Sequence, residues 1–265
     1  VLAMGGQSGL GQDIMPGMHG LELAAGHHPN DLARYRELIG MAGSGVPANL
    51  FEEGTGGPNL QLLSILNVRY VIWPAYRFGA LPGGEPVMGT TLGGDRVFEV
   101  VYEIPTLPRA RLIGETVVLS DDETVPYILS PDFRPADEVV LTEASPTALP
   151  GGPVEGEVQW VEKSPNRLRL QVRSESPALL VLADNWYPAW KAVVRGEEAP
   201  VLRANHTLRA VPVPSGESEV VIFFDSGTLR GPFLMSLASL ALVCGVLFIR
   251  PRRSPAETGS AERAS

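Results

Sequence analysis

Arg167-Leu168-Arg169-Leu170-Gln171-Val172-Arg173 alternates polar or basic side chains with aliphatic ones at every step. A period of two gives a β-strand one buried and one wet face. Working outward, strand-like runs fall at about 155–163, 167–173, 178–183, 191–195, 199–203, 207–213 and 218–225. Turn signals separate them: Ser164-Pro165-Asn166, Pro177, Arg195-Gly196 and Pro214-Ser215-Gly216. Short strands at a regular spacing of ~8–12 residues predict a β-sandwich over 154–226.

Upstream the pattern changes. Ser145 to Pro153, SPTALPGGP, reads as a linker, because Pro and Gly punctuate it and nothing periodic crosses it. Residues 58–144 predict a small α/β subdomain. A helix is expected over Asn59–Leu66 and another over Glu123–Leu129, with Pro126 counting against the second. Strands are expected over Val68–Trp73, Val97–Ile104, Ala110–Leu119 and Glu138–Thr142. Residues 1–57 are Gly-rich and loop-like with one helix, which Asn30 or Asp31 can cap and Gly40 stops.

Downstream, Pro232 to Ile249 reads PFLMSLASLALVCGVLFI, an uncharged run followed by Arg250, Arg252 and Arg253. Eighteen residues at ~1.5 Å each span roughly 27 Å, close to the ~30 Å hydrocarbon core of a bilayer. A transmembrane helix over 232–249 is expected, with the arginines holding the 250–265 tail in the cytoplasm. Residues 1–230 are then extracytoplasmic. The fold class is α+β: a small α/β subdomain, an all-β sandwich and one C-terminal transmembrane helix. The opening VLAMGGQSGLGQDIMPG has no basic n-region and no apolar h-region. Export is therefore expected from transmembrane helices upstream of Val1.

Charge narrows the partners. The tail after Ile249 holds four Arg and two Glu, leaving 21−4 = 17 basic against 30−2 = 28 acidic groups in residues 1–249. A net charge of −11 argues against nucleic acid, which selects basic faces. The single cysteine, Cys244, lies in the apolar run, so residues 1–230 carry no disulfide and no thiolate metal site.

Leu182-Ala-Asp-Asn-Trp-Tyr-Pro-Ala-Trp-Lys-Ala-Val-Val-Arg-Gly196 resembles the signature near the C-terminus of YfhO-like bacterial membrane proteins. The similarity continues through Arg203-Ala-Asn205, Leu208-Arg209-Ala-Val211, Val213-Pro-Ser-Gly216 and Val220 to Phe224. Upstream, Gly26-His27-His28-Pro29 with Arg34-Tyr35, Leu66-Asn67-Val68-Arg69-Tyr70-Val71-Ile72 and Leu107-Pro-Arg-Ala110 are similar to further family segments. His27 stands where Tyr is usual, and Arg195 where an Asp commonly precedes the turn Gly. The family's many-helix body resembles C-type membrane glycosyltransferases, which move sugar from a polyprenyl-phosphate carrier. The resemblance thus implies a bacterial cell-envelope region accessory to sugar transfer, with the catalytic carboxylates on an early loop outside this chain. Its partners would be the bilayer, the upstream membrane body and a glycan or polyprenyl-phosphate sugar. The competing class is a non-catalytic glycan- or partner-binding surface module.

Motifs for chemistry are sparse. Gly5-Gly6-Gln-Ser-Gly9-Leu-Gly11 lacks GxGxxG spacing, and Ser8 is not in GxSxG because Leu10 takes the last position. His19, His27, His28 and Glu22 match no metal signature. Asp121 and Asp122 suit a turn or helix cap. No cofactor, metal or catalytic residue is assigned. The aromatic cluster Trp186, Tyr187 and Trp190, with Asp184, Asn185 and Lys191 in reach, has two readings. Flat rings beside short polar groups suit a sugar; a Trp in a sandwich strand is ordinarily core. Trp190, entering a strand, is expected buried and Trp186 the more exposed. Asn205-His206-Thr207 fits the N-glycosylation pattern, which a bacterial protein makes incidental.

Overall fold

The computed structural model describes residues 1–3, 20–24, 32–41, 47–52, 54–91 and 97–248. The chain forms a mixed α/β structure, mostly β, with two units: Val1–Phe224 and Asp225–Ser265. A first sheet has the order β1-β2-β4-β3, from Leu2–Ala3, Tyr70–Trp73, Val97–Glu103 and Glu85–Thr91 respectively. Helices α1 (Ala33–Leu38), α2 (Leu60–Ile65) and α3 (Ala75–Phe78) accompany it. Leu38, Ile39, Leu62, Leu63, Ile65, Val71 and Trp73 share its core. Asn59 caps α2 by accepting the Leu62 amide. For α1 the N-cap is Leu32, which makes no side-chain cap, while Asn30 and Asp31 lie outside the described residues. Gly40 at φ 75° ends α1 as expected, since a Cβ there would be strained and would strike Asn49.

Next come β5 (Ala110–Ile113), β6 (Glu115–Val118), α4 (Asp121–Leu129) and β7 (Glu138–Leu141). Helix α4 starts at Asp121, ahead of the expected Glu123, and continues through Pro126. Ser120 and Glu123 form a capping box, and Asp121, Asp122 and Glu123 place three carboxylates at the positive end of the helix dipole. The remaining strands are β8 (Gly156–Ser164), β9 (Arg167–Ser174), β10 (Ala178–Asn185), β11 (Trp190–Val194), β12 (Glu197–Ala199), β13 (Leu202–Ala204), β14 (Leu208–Val213) and β15 (Gly216–Phe224).

These strands do not form a separate 154–226 domain. One sheet has the order β5-β10-β14-β13-β7-β6, the other β12-β11-β15-β9-β8. The sequence expectation of separate 58–144 and 154–226 segments is therefore corrected. Strand β5 pairs with β10 and β7 with β13, so strands from both sides of Ser145–Pro153 share a ladder. Strands β5 and β6 lie at opposite edges of the sheet yet are joined by Gly114 alone, so the sheet curls until its edges meet. The Gly151 amide donates to the Gly114 carbonyl, and a Cβ on Gly114 would collide with the Gly152 carbonyl and Val154. The expected linker thus packs tightly over the bend. The segment 1–57 is not merely loop either, because β1 joins the first sheet in parallel with β2.

Between the two later sheets lies a second core. Leu180, Leu182, Val211 and Val213 from one meet Leu168, Leu170, Val172, Val220 and Ile222 from the other. Strand β9 buries the aliphatic members of its alternation and turns the arginines outward. The opposite face of the curled sheet has its own small core of Ile113, Val139, Leu141, Leu179 and Val181.

Polar contacts dock α1. Arg34 and Arg203 both bind Asp121, at 2.9 and 2.7 Å, and His206 Nε2 meets Glu37 at 2.8 Å. Hydrogen bonds from Arg203 first, and then Arg34, pull the Asp121 carboxyl down to about 2. An unfolded aspartate titrates near ~3.9. Because the folded value is depressed, this contribution is present above that range and is lost as pH falls from about 4 through about 2. Asp121 is partly exposed, so the effect is local. Amides of 36–41 are expected to lose hydrogen-exchange protection across that window, after correction for intrinsic rates. In Asp121→Asn the protection should be low already at pH 6.

The second unit contains α5 (Arg230–Phe248), nineteen residues long. Phe233, Leu234, Met235, Leu237, Leu240, Leu242 and Val243 are exposed. Among the described residues no helix is long and apolar enough to cross a membrane. Ile249 and the arginines lie outside the described residues.

Candidate functional site

Strand β10 carries Asp184 and Asn185, and a break in its ladder positions them. Val181 pairs with Ala210 and Leu182 with Arg209, but the next pair is Asn185 with Leu208. Ala183 and Asp184 are therefore extra residues on one strand, a bulge that re-aims side chains. The Ala183 amide is satisfied instead by the Arg109 carbonyl at 2.8 Å.

Asp184, only 11 % exposed, takes both Nη2 and Nε of Arg109, at 2.5 and 3.4 Å. Arg209 approaches its other side, with Nη2 3.8 Å away. Arg209 is 5 % exposed and its Nη1 has no partner. Burial pushes its guanidinium down to about 10, with Asp184 opposing and Arg109 adding to the shift. Arg109 moves the other way: burial lowers it, but its bonds to Glu22 and Asp184 outweigh that and raise it.

The same arginine explains Trp190. The Arg209 guanidinium lies 3.8 Å from the centre of the Trp190 ring, a close cation–π contact. Phe224 meets Trp190 edge-on at 5.5 Å, and Tyr187 stacks on Phe224 at 6.2 Å. Trp190 is thus half-buried and bound from one side by a cation, and Tyr187, 48 % exposed, has one face on Phe224. Trp186 is held differently. Its amide donates to the Thr207 carbonyl at 2.6 Å and its indole N–H to the Val201 carbonyl at 2.9 Å. Trp186 is half-buried too, so the expected contrast in burial between it and Trp190 is absent.

The five residues singled out in sequence do not converge on one surface. Asp184 and Asn185 line a cleft of about 340 Å³ with Glu22, Tyr35, Asn67 and Arg109. Trp186 lines another of about 420 Å³, with Thr142, Glu143, Pro146, Pro200 and Arg203. Trp190 and Lys191 line a third of about 410 Å³ with Pro188 and Glu198. Glu143, exposed at the rim of the Trp186 cleft, has no partner among the described residues. Asn205 is fully buried and its side chain accepts the Val140 amide, so the sequon is part of the core.

His19, His27, His28, Ser8 and the Gly5–Gly11 run lie outside the described residues. Glu22 is within them, bound to Arg109 and Lys163. Asp121 and Asp122 stand in the first turn of α4, whose cap is Ser120 rather than either aspartate. Glu143 carried no signal in the sequence, and Arg109, Arg203 and Arg209 were legible only as members of the blocks of resemblance.

Among the described residues the fold is a β-rich mixed α/β structure with clefts beside Asp184, Trp186 and Trp190 and a C-terminal apolar helix. No known protein family, curated protein or solved structure matches the chain.

Proposed function

We propose that this chain is the extracytoplasmic, membrane-anchored C-terminal region of a YfhO-like polytopic protein of the bacterial envelope. In this reading it holds glycan for sugar transfer carried out by a membrane body upstream. The observation that carries the glycan reading is the Trp186 cleft. The indole N–H donates to the Val201 carbonyl and the Trp186 main-chain amide to the Thr207 carbonyl, so ring and backbone are both held before any ligand arrives and little ordering cost remains for binding. Beside it the unpartnered Glu143 carboxylate can accept sugar hydroxyls.

A second feature supports the family reading. Tyr35, Leu66-Asn67-Val68, Arg109 and Asp184-Asn185, which belong to the blocks of resemblance, line one cleft although they span 150 positions. The chain itself is proposed to bind rather than catalyse. Asp184 and Glu22 in the first cleft are matched to Arg109, and Asp121 is matched to Arg203, while Glu143 stays exposed. A general acid needs a pKa near the working pH, and Asp121 is held far below it.

The test is a titration of the chain in detergent with neutral oligosaccharides of two to six sugars, read by tryptophan fluorescence. Trp186→Ala is expected to weaken binding at least tenfold, consistent with the ~1.4 kcal/mol per decade of affinity. Trp190→Ala is expected to act on thermal stability first, through the lost contacts to Arg209 and Phe224. Equal loss of stability in both variants with unchanged affinity would remove Trp186 from the site.

A further inference from the structure

We propose that Arg109, Lys163 and Trp160 form a site for the phosphate-bearing end of a sugar, occupied here by Glu22 as an internal stand-in. The ligand class rests on the glycan reading above, but the site is separate from the Trp186 cleft.

The geometry of Arg109 is two-sided. Asp184, buried beneath it, holds Nε and Nη2 and so orients the guanidinium plane. Nη1 is left facing outward, where it binds the Glu22 carboxylate. Lys163 reaches the same carboxylate, with Nζ 3.3 Å from one oxygen and 3.5 Å from the other. Arg109 precedes β5 and Lys163 is on β8, so two cations 54 positions apart in sequence converge on a single anion. A pre-oriented guanidinium and an ammonium closing on several oxygens are what a phosphate takes.

The two carboxylates around Arg109 differ in character. Asp184 is buried, and removing it would strand a charge. Glu22 is 68 % exposed, and an exposed pair of this kind contributes little to stability. It can leave at small cost when a phosphate, with more charge and a third oxygen, competes for the same donors. Trp160 completes the site. It is 37 % exposed, and both Arg109 Cζ and Lys163 Nζ lie 5.9 Å from its ring centre. That puts an open aromatic surface beside the anion position, where a sugar ring can pack. Asn67 and Asn185 line the adjoining cleft, held there by the Asn67 side-chain amide donating to the Leu107 carbonyl and by Thr207 donating to the Asn185 side-chain oxygen.

The experiment is calorimetric titration of the full chain in detergent with glucose 1-phosphate, N-acetylglucosamine 1-phosphate, inorganic phosphate and methyl glucoside. Glu22→Gln is expected to bind at least one sugar phosphate ten times more tightly than the parent chain. Adding Lys163→Met should reverse that gain, and raised salt should weaken it. Methyl glucoside should bind at least tenfold more weakly than the sugar phosphate. Trp186→Ala should leave sugar phosphate affinity unchanged, so this site and the neutral-glycan cleft can fail separately. Glu22→Gln with a lowered melting temperature and no gain for either sugar phosphate would make Glu22 a structural tether and overturn the proposal. Inorganic phosphate binding as tightly as the sugar phosphates would remove the sugar contact at Trp160 and overturn it equally.

Discussion

Asp184→Ala is expected to be among the most destabilising single changes in the Val1–Phe224 unit, by about 3–5 kcal/mol. The reason is what it leaves behind. Arg209 is almost wholly buried, with one nitrogen already unpartnered, and Asp184 is its nearest counter-charge. Arg109 would lose the bidentate partner that orients it. A charge buried without compensation costs far more than the pair gained on forming. A domain holding ~5–15 kcal/mol in total would give up much of its margin. Asp184→Asn keeps the shape and part of the hydrogen bonding, so it should fall between the parent and the Ala variant. Glu22→Gln removes an exposed partner of the same arginine and should cost no more than about 1 kcal/mol. Urea unfolding of the three variants decides it. A cost below 1 kcal/mol for Asp184→Ala would mean that Arg209 relies mainly on its stack against Trp190.

How far the chain could be read in advance depends on the range of the interactions. The strands from 155 onward were legible because each carries its own alternation, as in Arg167–Arg173, and because turns such as Arg195-Gly196 announce themselves. Those two residues have φ of 54° and 85°, the signature of a tight hairpin turn. One predicted strand, 199–203, is in fact two, β12 and β13, divided at Pro200. Strand β3 was not foreseen. Its Pro86 and Gly89 read as loop, and they are tolerated because β3 is an edge strand with register shifts. What local pattern could not supply is pairing. Nothing near Ala110 says that it will lie beside Leu182, and nothing near Trp190 says that Arg209 will cover it. The aromatic cluster was therefore recognised as a group of residues, whereas nothing local showed that Trp186 stands in a cleft of its own while Tyr187 and Trp190 both meet Phe224.

The other large effect expected concerns Arg230 onward. Helix α5 presents Phe233, Leu234, Met235, Leu240 and Leu242 around its circumference, all exposed. A helix apolar on all sides has no single face to bury against a domain, and a bilayer is the solvent that satisfies every side at once. In the proposed reading the apolar run 232–249, at ~1.5 Å per residue, approaches the ~30 Å of a hydrocarbon core, although the described part of α5 is by itself not long and apolar enough to cross a membrane. In the same reading Arg250, Arg252 and Arg253, just beyond the run in sequence, would set the direction by staying on the inner side. Expressed behind the upstream membrane body of the proposed parent protein, alkaline phosphatase fused after Ser226 is expected to be active in a bacterial host, and the same fusion after Ser254 inactive. Cys244 gives an independent reading because it is the only cysteine in the chain and lies in α5. In intact membranes it should resist a charged maleimide, and it should react fully once detergent unfolds the chain. A chain ending at Asp225 should leave the membrane fraction altogether. Activity of the Ser254 fusion would invert the topology. Rapid labelling of Cys244 in sealed vesicles would place α5 outside the bilayer and withdraw the anchor on which the proposed extracytoplasmic role depends.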